Sequence, residues 1–408
     1  MIKKIPVEEL CVGMFIHDIN LGWIDHPFSS KHFKLTSPKI LQKILNLKVR
    51  EVYIDTGKGL DTSKGQSATE VRAQVESDLE KLASPPPPKK SPTPVSVQEE
   101  WPKALEIRDD ASRVVSKMME DARLGKQIEI EQADPAIENI VDSIFRNQDA
   151  LLGAIRIREM DQYTFEHSVS LSVLMVSFCK YMGMSQTELR HAGMGGLLHD
   201  IGKSKIPLEI LNKPGKLTDE EFSIMRKHVE YSRDILKSSD EMSPISQGII
   251  FEHHERFDGS GYPAGKKGNE ISLYGQMATV ADVYDALTST RCYHTGKSPH
   301  WVLGKLIEWS KFHFNPEMVQ RFIRCIGIYP IGTFVSLKSG RLAVVSESNE
   351  KDLLRPVVKL IFDTKQSCRL PNVACNLAEQ SGPNADQIVG SEIPESYGFC
   401  VGEILNSP

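Results

Sequence analysis

Four prolines in a row, Pro85, Pro86, Pro87 and Pro88, with Pro92 and Pro94 close behind, constrain this chain more than any other feature. A run of residues without an N–H neither continues a helix nor sits inside a sheet. The segment is therefore predicted to be a semi-rigid, solvated spacer of polyproline type, and the chain to fold as separate domains around it. Its 408 residues suffice for two or three domains. Changes in pattern place a small α+β domain at residues 1–57 and a Pro-rich linker at 58–98, with a helix-prone stretch at 68–82. A helical domain is placed at 99–328 and a β-rich extension with its tail at 329–408.

Within the first domain, residues 4–7 and 13–16 read as short strands. Ser37-Pro38 reads as an N-cap and first turn. Ile40, Leu41, Ile44, Leu45 and Leu47 form the apolar positions of the helix that follows, and 51–54 a final strand. Helical spacing then runs through 105–124, 135–148, 163–182, 186–198, 219–236 and 277–287, with Thr218 and Glu221 forming a capping box. Residues 256–273 are a Gly-rich loop. Beyond Tyr329 the alternation is that of strands, at 333–337, 341–345 and 357–362, with a turn at 338–340. No pattern is legible after about Leu377.

Composition is that of a soluble globular protein, with 25% charged and 40% hydrophobic residues. A net charge of −5 gives no reason to expect a nucleic-acid duplex or an anionic membrane as the main partner. A phosphate-bearing ligand would need a local positive site, which metal ions supply. No segment approaches the ~18 uninterrupted apolar residues of a membrane span. Lys3-Lys4 leads into Pro6, Glu8 and Glu9 rather than an apolar run, so no signal peptide is expected. The seven cysteines are scattered, without a C-x-x-C pair, as expected of reduced thiols in a cytoplasmic protein.

Histidines carry the chemistry. A single His-Asp doublet means little: His17-Asp18 is one, in a strand-like segment without His partners, and reads as plain structure. The set His167, His199, Asp200, His228, His253, His254 and Asp282 is different, because every member falls within or at the end of a helical stretch of one all-α region. Imidazole and carboxylate donors suit Fe, Mn, Zn or Ni. Seven donors exceed the needs of one ion, so two are implied, with a short Asp able to bridge them. Two ions ~3.5–4 Å apart are the usual apparatus for phosphoester hydrolysis.

Longer motifs surround these residues. Gly196-Leu197-Leu198-His199-Asp200-Ile201-Gly202-Lys203 is followed by Ile210-Leu211-Asn212-Lys213-Pro214-Gly215-Lys216-Leu217-Thr218. His253-His254-Glu255-Arg256-Phe257-Asp258-Gly259-Ser260-Gly261-Tyr262-Pro263 precedes Ala281-Asp282-Val283-Tyr284-Asp285-Ala286-Leu287. Over residues 150–328 the chain resembles the HD-GYP phosphodiesterases, a branch of the HD superfamily that hydrolyses cyclic dinucleotides. Through Leu10-Cys11-Val12-Gly13-Met14 and Trp23-Ile24-Asp25-His26-Pro27-Phe28, the first 57 residues resemble a small domain often attached to this family. The strands after Tyr329 resemble an extension that often follows the catalytic domain. The implied fold is multi-domain: an all-α HD-type helical catalytic domain, a small α+β N-terminal domain and a short β-rich C-terminal extension.

The resemblance implies that His167, His199, Asp200, His228, His253, His254 and Asp282 are metal ligands, with Asp200 bridging two divalent ions, Fe or Mn. Some members carry a Glu four residues before the first His and hold a third ion. Tyr163 stands there in this chain, which predicts a two-metal site. Glu166 is expected to point elsewhere as a solvated or capping carboxylate. Lys203, one turn beyond Asp200, is assigned to phosphate or the attacking hydroxide. The two glycines of the Asp258–Pro263 loop permit close backbone approach, and Tyr262 packs on a base or touches phosphate. Asp285, three residues beyond Asp282, is placed to orient a ligand His. Arg291 is implied to bind substrate phosphate. The family often continues Arg-Pro-Tyr-Arg or Arg-Pro-Tyr-Lys, whereas this chain reads Arg291-Cys292-Tyr293-His294. His294 thus replaces a permanent cation with an imidazole mostly neutral at pH 7.

The expected activity is that of a cytoplasmic, bacterial-type signalling enzyme. A hydroxide bridging two metals attacks cyclic di-GMP in line and opens it to linear pGpG, with slow onward release of GMP. Two rivals are a preference for 3′,3′-cyclic GMP-AMP and a catalytically inactive cyclic-dinucleotide receptor. The N-terminal domain and the GYP loop are the surfaces expected for any protein partner.

Overall fold

The computed structural model describes residues 1–21, 32–47, 49–83, 95–157, 163–213, 215–237, 242–289, 296–349 and 351–407. The proline run, the 23–28 segment and Arg291 with Cys292 and His294 lie outside them. The chain divides into two compact units, one of residues 1–79 with 207–225, the other of 80–206 with 226–408.

In the first unit, β1 (Ile2–Pro6), β2 (Phe15–Asp18), β3 (Phe33–Lys34), β4 (Glu51–Asp55) and β5 (Gln66–Ser67) form an antiparallel sheet in the order β3-β2-β4-β1-β5. Helix α1 (Pro38–Asn46) starts as its sequence dictates: the Ser37 hydroxyl accepts from Ile40 N, and Pro38 occupies the first turn. Ile5, Ile16, Leu35, Ile44, Val52 and Ile54 make the core. Lys4, 4% exposed, pairs with Glu51 at 2.7 Å. Helix α2 (Ala68–Leu82) follows.

The second unit begins with α3 (Val97–Arg123), which starts well before residue 105 because Ser96 and Glu99 form a reciprocal capping box. Helix α4 (Asp134–Ala154) kinks at Asn147, whose Oδ1 accepts from the amides of Asp149 and Ala150. Helix α5 (Tyr163–Tyr181) is almost wholly buried, with Ser168, Ser170, Ser172 and Ser177 among its inward residues. It packs closely on α6 (Gln186–Leu198): a Cβ on Gly196 would lie 2.7 Å from the backbone of Ser172. A 3₁₀ turn (Ile201–Lys205) follows.

The chain then enters 207–225, part of the first unit, with α7 (Leu208–Leu211) and the start of α8 (Asp219–Arg226). The predicted capping box is present, Thr218 N donating to Glu221 Oε2 and Glu221 N to Thr218 Oγ1. The single helix predicted over 219–236 is two: α8 ends at Arg226 and α9 (His228–Leu236) begins afresh. The seat of α9 explains the break. Gly202 N donates to Ser232 Oγ, and a Cβ on Gly202 would fall 1.9 Å from His228 O, so α9 docks on the 3₁₀ turn.

Helices α10 (Pro244–Glu252), α11 (Leu273–Thr288), α12 (Pro299–Trp309) and α13 (Pro316–Ile326) complete the helical part. Strands β6 (Phe334–Leu337), β7 (Arg341–Glu347), β8 (Val357–Asp363), β9 (Cys368–Asn376) and β10 (Ile388–Ser391) form an antiparallel sheet in the order β10-β6-β7-β8-β9, and α14 (Val401–Asn406) ends the chain. The tail past Leu377 therefore supplies a paired strand and a helix. Among the described residues no helix is long and apolar enough to cross a membrane.

Candidate metal centre

Six elements converge on one cluster. His167 lies in α5, His199 ends α6, Asp200 opens the 3₁₀ turn, His228 opens α9, His253 ends α10 with His254 next, and Asp282 lies in α11. Three donor groups form, each with its ligand atoms within 4.8 Å of one another: His167, His199 and Asp282; His199, Asp200 and His253; and His228, His253 and His254. Asp200 stands between the outer two. Its Oδ2 is 3.0 Å from His199 Nε2 and 3.8 Å from His167 Nε2. Its Oδ1 is 3.4 Å from His228 Nε2 and 4.0 Å from His253 Nε2. Asp282 Oδ1 is 3.0 Å from His167 Nε2, and its Oδ2 is 4.0 Å from His254 Nδ1.

The imidazoles are aimed by their remote nitrogens. His199 Nδ1 donates to Gly196 O at 2.8 Å and His253 Nδ1 to Ile250 O at 2.9 Å. A carbonyl can only accept, so the proton is on Nδ1 and each Nε2 turns a lone pair into the cluster. His167 Nδ1 lies 2.7 Å from Asp285 Oδ2, a carboxylate–histidine pair of the same kind. Among the described residues, buried His199 Nε2 and Asp200 Oδ1 have no hydrogen-bond partner. Buried polar atoms are seldom left so, and a cation is what an imidazole lone pair and a carboxylate oxygen would both accept. The residues present therefore fit divalent ions of the first transition row.

The electrostatics of the histidine pair at the end of α10 agree, whereas Asp282 and Asp285 raise His167 against its burial. Burial pushes the His253 imidazole down to about 3, with His199 adding to the effect. Burial, then His253 and His228, also hold His254 well below its ordinary value. Both are thus neutral, the form that binds metal. Burial would raise Asp200, but His199 and Lys203 bring it well below the usual carboxylate range. Asp282 is lowered against its burial by His167. Lys203 Nζ sits 2.5 Å from Asp200 Oδ2.

At the other edge Tyr262 stacks on His254, centroids 4.6 Å apart, and its amide donates to His254 O. The guanidinium of Arg226 lies over the Tyr262 ring at 4.8 Å. Gly261 must be glycine, since a Cβ would lie 2.3 Å from Arg256 N and 2.5 Å from His254 O. Arg226 was beyond the reach of the sequence, which marks no motif at that position. Glu252 and Glu255, which hydrogen-bond this loop, carry only the signal of flanking the histidine pair. Glu166 departs from expectation: it is 8% exposed in the first turn of α5, buried rather than solvated.

A family model described as HD domain matches residues 155–318, and one for a domain of unknown function (DUF3391) matches residues 2–133. A cyclic di-GMP phosphodiesterase of Pseudomonas aeruginosa is 37% identical over 400 residues, 98% of this chain and 94% of that protein. The chain belongs to the HD-GYP phosphodiesterases. Two further relatives match this phosphodiesterase over shorter stretches. A cyclic di-GMP phosphodiesterase of Thermotoga maritima is 36% identical over 46% of this chain and 53% of its own. A 3′3′-cGAMP-specific phosphodiesterase of Vibrio cholerae is 34% identical over 42% of this chain and 32% of its own. HD-domain phosphodiesterases are metal-dependent, in keeping with the donor groups above.

Proposed function

We propose that this enzyme hydrolyses cyclic di-GMP to linear pGpG and, slowly, to GMP. The observation that carries the reading is the Asp200 carboxylate, with one oxygen toward His199 and His167 and the other toward His228 and His253. On this reading His167, His199 and Asp282 would hold one ion, His228, His253 and His254 a second, and Asp200 both, with Fe or Mn as the metals. Divalent ions there supply Lewis-acid charge for a phosphodiester and lower the pKa of water enough to make it a nucleophile at neutral pH.

The chain's own residues do the rest. Asp285 binds His167 Nδ1 and so aims Nε2 into the cluster beside Asp282 and Asp200. Lys203 Nζ keeps Asp200 ionised and donates to a phosphoryl oxygen as charge grows on it. Tyr262, stacked on His254 and lying under the Arg226 guanidinium, puts an aromatic ring and a cation at the edge of the cluster, where a guanine base and its phosphate would pack. Arg291 is assigned to the second phosphate by resemblance alone. Tyr163 in place of a third-metal Glu supports a stop at pGpG. The enzyme works on this reading in the cytoplasm, on a soluble second messenger.

The test is an anaerobic assay of the chain loaded with Fe(II) or Mn(II), given cyclic di-GMP and 3′,3′-cyclic GMP-AMP in equal amounts and followed by chromatography, with Asp200→Ala as control. Conversion of cyclic di-GMP to accumulating pGpG, abolished in the variant, supports the reading. Faster loss of the mixed dinucleotide would replace the substrate, and rapid GMP without pGpG would remove the two-metal argument. Binding without turnover, with both metals present, would make the protein a receptor.

A further inference from the structure

The histidine pair is bracketed by two carboxylates, in the order Glu252-His253-His254-Glu255. The imidazoles face the donor cluster, while the carboxylates face the loop that follows. Glu255 is 1% exposed, and its oxygens accept from Ala264 N at 2.8 Å and Lys266 N at 2.9 Å. Glu252 takes the far end of the same loop. Its Oε2 accepts from Ser272 N at 2.8 Å and Ser272 Oγ at 2.6 Å, and its Oε1 meets Lys266 Nζ at 2.5 Å. Between these grips the chain folds back on its own start: a Cβ on Gly261 would come within 2.5 Å of Glu255 Cα. Tyr262 follows directly, its amide on His254 O and its ring on the His254 ring.

A buried carboxylate accepting two backbone amides makes charge-assisted bonds, stronger than neutral ones. Its neutral isostere, Gln, has one acceptor oxygen and would turn an NH2 group toward the other amide. The Glu255 side chain grips not the donor atoms but the backbone that directly follows Tyr262-Pro263. We propose that Glu255, assisted by Glu252, is a positioning residue that keeps Tyr262 stacked on His254, and so sets substrate affinity while leaving metal loading unchanged. The kinetic half of this inference rests on the phosphodiesterase reading above; the structural half does not.

The experiment uses the full chain loaded with Mn(II), as wild type, Glu255→Gln, Tyr262→Ala and the double variant. Metal content of Glu255→Gln is expected to equal that of wild type. Its KM for cyclic di-GMP is expected to rise about tenfold with kcat nearly constant, the scale of one or two lost charge-assisted hydrogen bonds. The double variant should have a KM no higher than Tyr262→Ala alone, because the ring that Glu255 positions is already gone. Hydrogen exchange read by mass spectrometry should show residues 261–266 exchanging faster in Glu255→Gln, with α10 and α11 as in wild type. Loss of metal at unchanged KM, additive effects in the double variant, or unchanged loop protection would each overturn the proposal. Should Glu255→Gln fail to fold, Gly261→Ala pushes the loop off Glu255 from the other side and should give the same exchange pattern and KM rise. If wild type turns over neither dinucleotide, the function reading falls, and the exchange pattern still decides the role of Glu255.

Discussion

His167, His199 and Asp282 form the inner half of the donor cluster, and His228, His253 and His254 the outer half. Inner residues come from α5, α6 and α11, elements of 13 to 19 residues, and all three are buried. Their spacing follows from helix packing, with Gly196 letting α6 lie against the backbone of α5. Outer residues come from the start of α9 and the end of α10, nine residues each, and the His254 side chain is 17% exposed against Tyr262. The contrast teaches a division of labour. The inner half is held between long packed helices, so damage there reaches the fold. The outer half borders a loop, so damage there reaches the ligand first.

Asp200 is common to both halves, and its loss should do most. Asp200→Ala is expected to lower turnover on the order of 10³-fold, the several kcal/mol that ions lend a phosphoryl transition state. Metal content by plasma mass spectrometry should fall with it; an active variant with full metal would end the view of Asp200 as the shared element. Asp285→Asn acts on the inner half alone. Losing the charged partner of His167 should weaken metal affinity or activity ~10–100-fold, read by metal titration; wild-type affinity would mean that packing by itself fixes the His167 ring.

Two stability measurements sharpen the contrast. In metal-free protein Gly196→Ala should cost ~1–3 kcal/mol by overpacking in a urea melt, whereas His254→Ala should stay near wild type. Equal losses would erase the distinction between the halves. The smallest effect belongs to the scaffold behind α5, where Glu100 accepts from Ser143 Oγ and Arg146 Nε. Burial would raise the Glu100 carboxyl, but Arg146 and Ser143 bring it below its ordinary value of 4.5. A depressed folded-state pKa stabilises the protein above the unfolded value, and that stability is lost as pH falls through the folded one. Glu100→Gln should therefore cost ~1–2 kcal/mol near neutrality, with wild type and variant converging as pH drops below 4.5; a constant gap in acid melts would assign the cost to packing.

The inner half was largely legible in the sequence, because His167, His199 and Asp282 sit in or at the end of long helices that the residue spacing already marks and their donor atoms advertise their chemistry. Ser37-Pro38 and Thr218 with Glu221 were equally readable, since capping is decided within four residues. The outer half was less so. The split at Lys227 depends on Ser232 docking against Gly202, a contact thirty residues apart in the chain that periodicity does not register. Helices α10, α12 and α13 carry Ser243-Pro244, Ser298-Pro299 and Asn315-Pro316 at their starts, the same kind of signal as Ser37-Pro38, but their bodies are short or apolar on most sides. Strand β10 is four residues long and takes its register from β6, far upstream. The grip of Glu252 and Glu255 on the GYP loop is tertiary throughout.

His199 and His253 each close a helix and each return a proton to a carbonyl of that helix's last turn, Gly196 O and Ile250 O. Those oxygens would otherwise be left without an intrahelical donor. The ring that offers a lone pair to a cation is thus also the cap that stops its own helix from fraying, and the negative end of the helix dipole points toward the arriving charge. On the proposed reading, occupancy of the centre and winding of the last turns of α6 and α10 would be one linked equilibrium: ion uptake would tighten two helix ends, and loosening either end would release the ion.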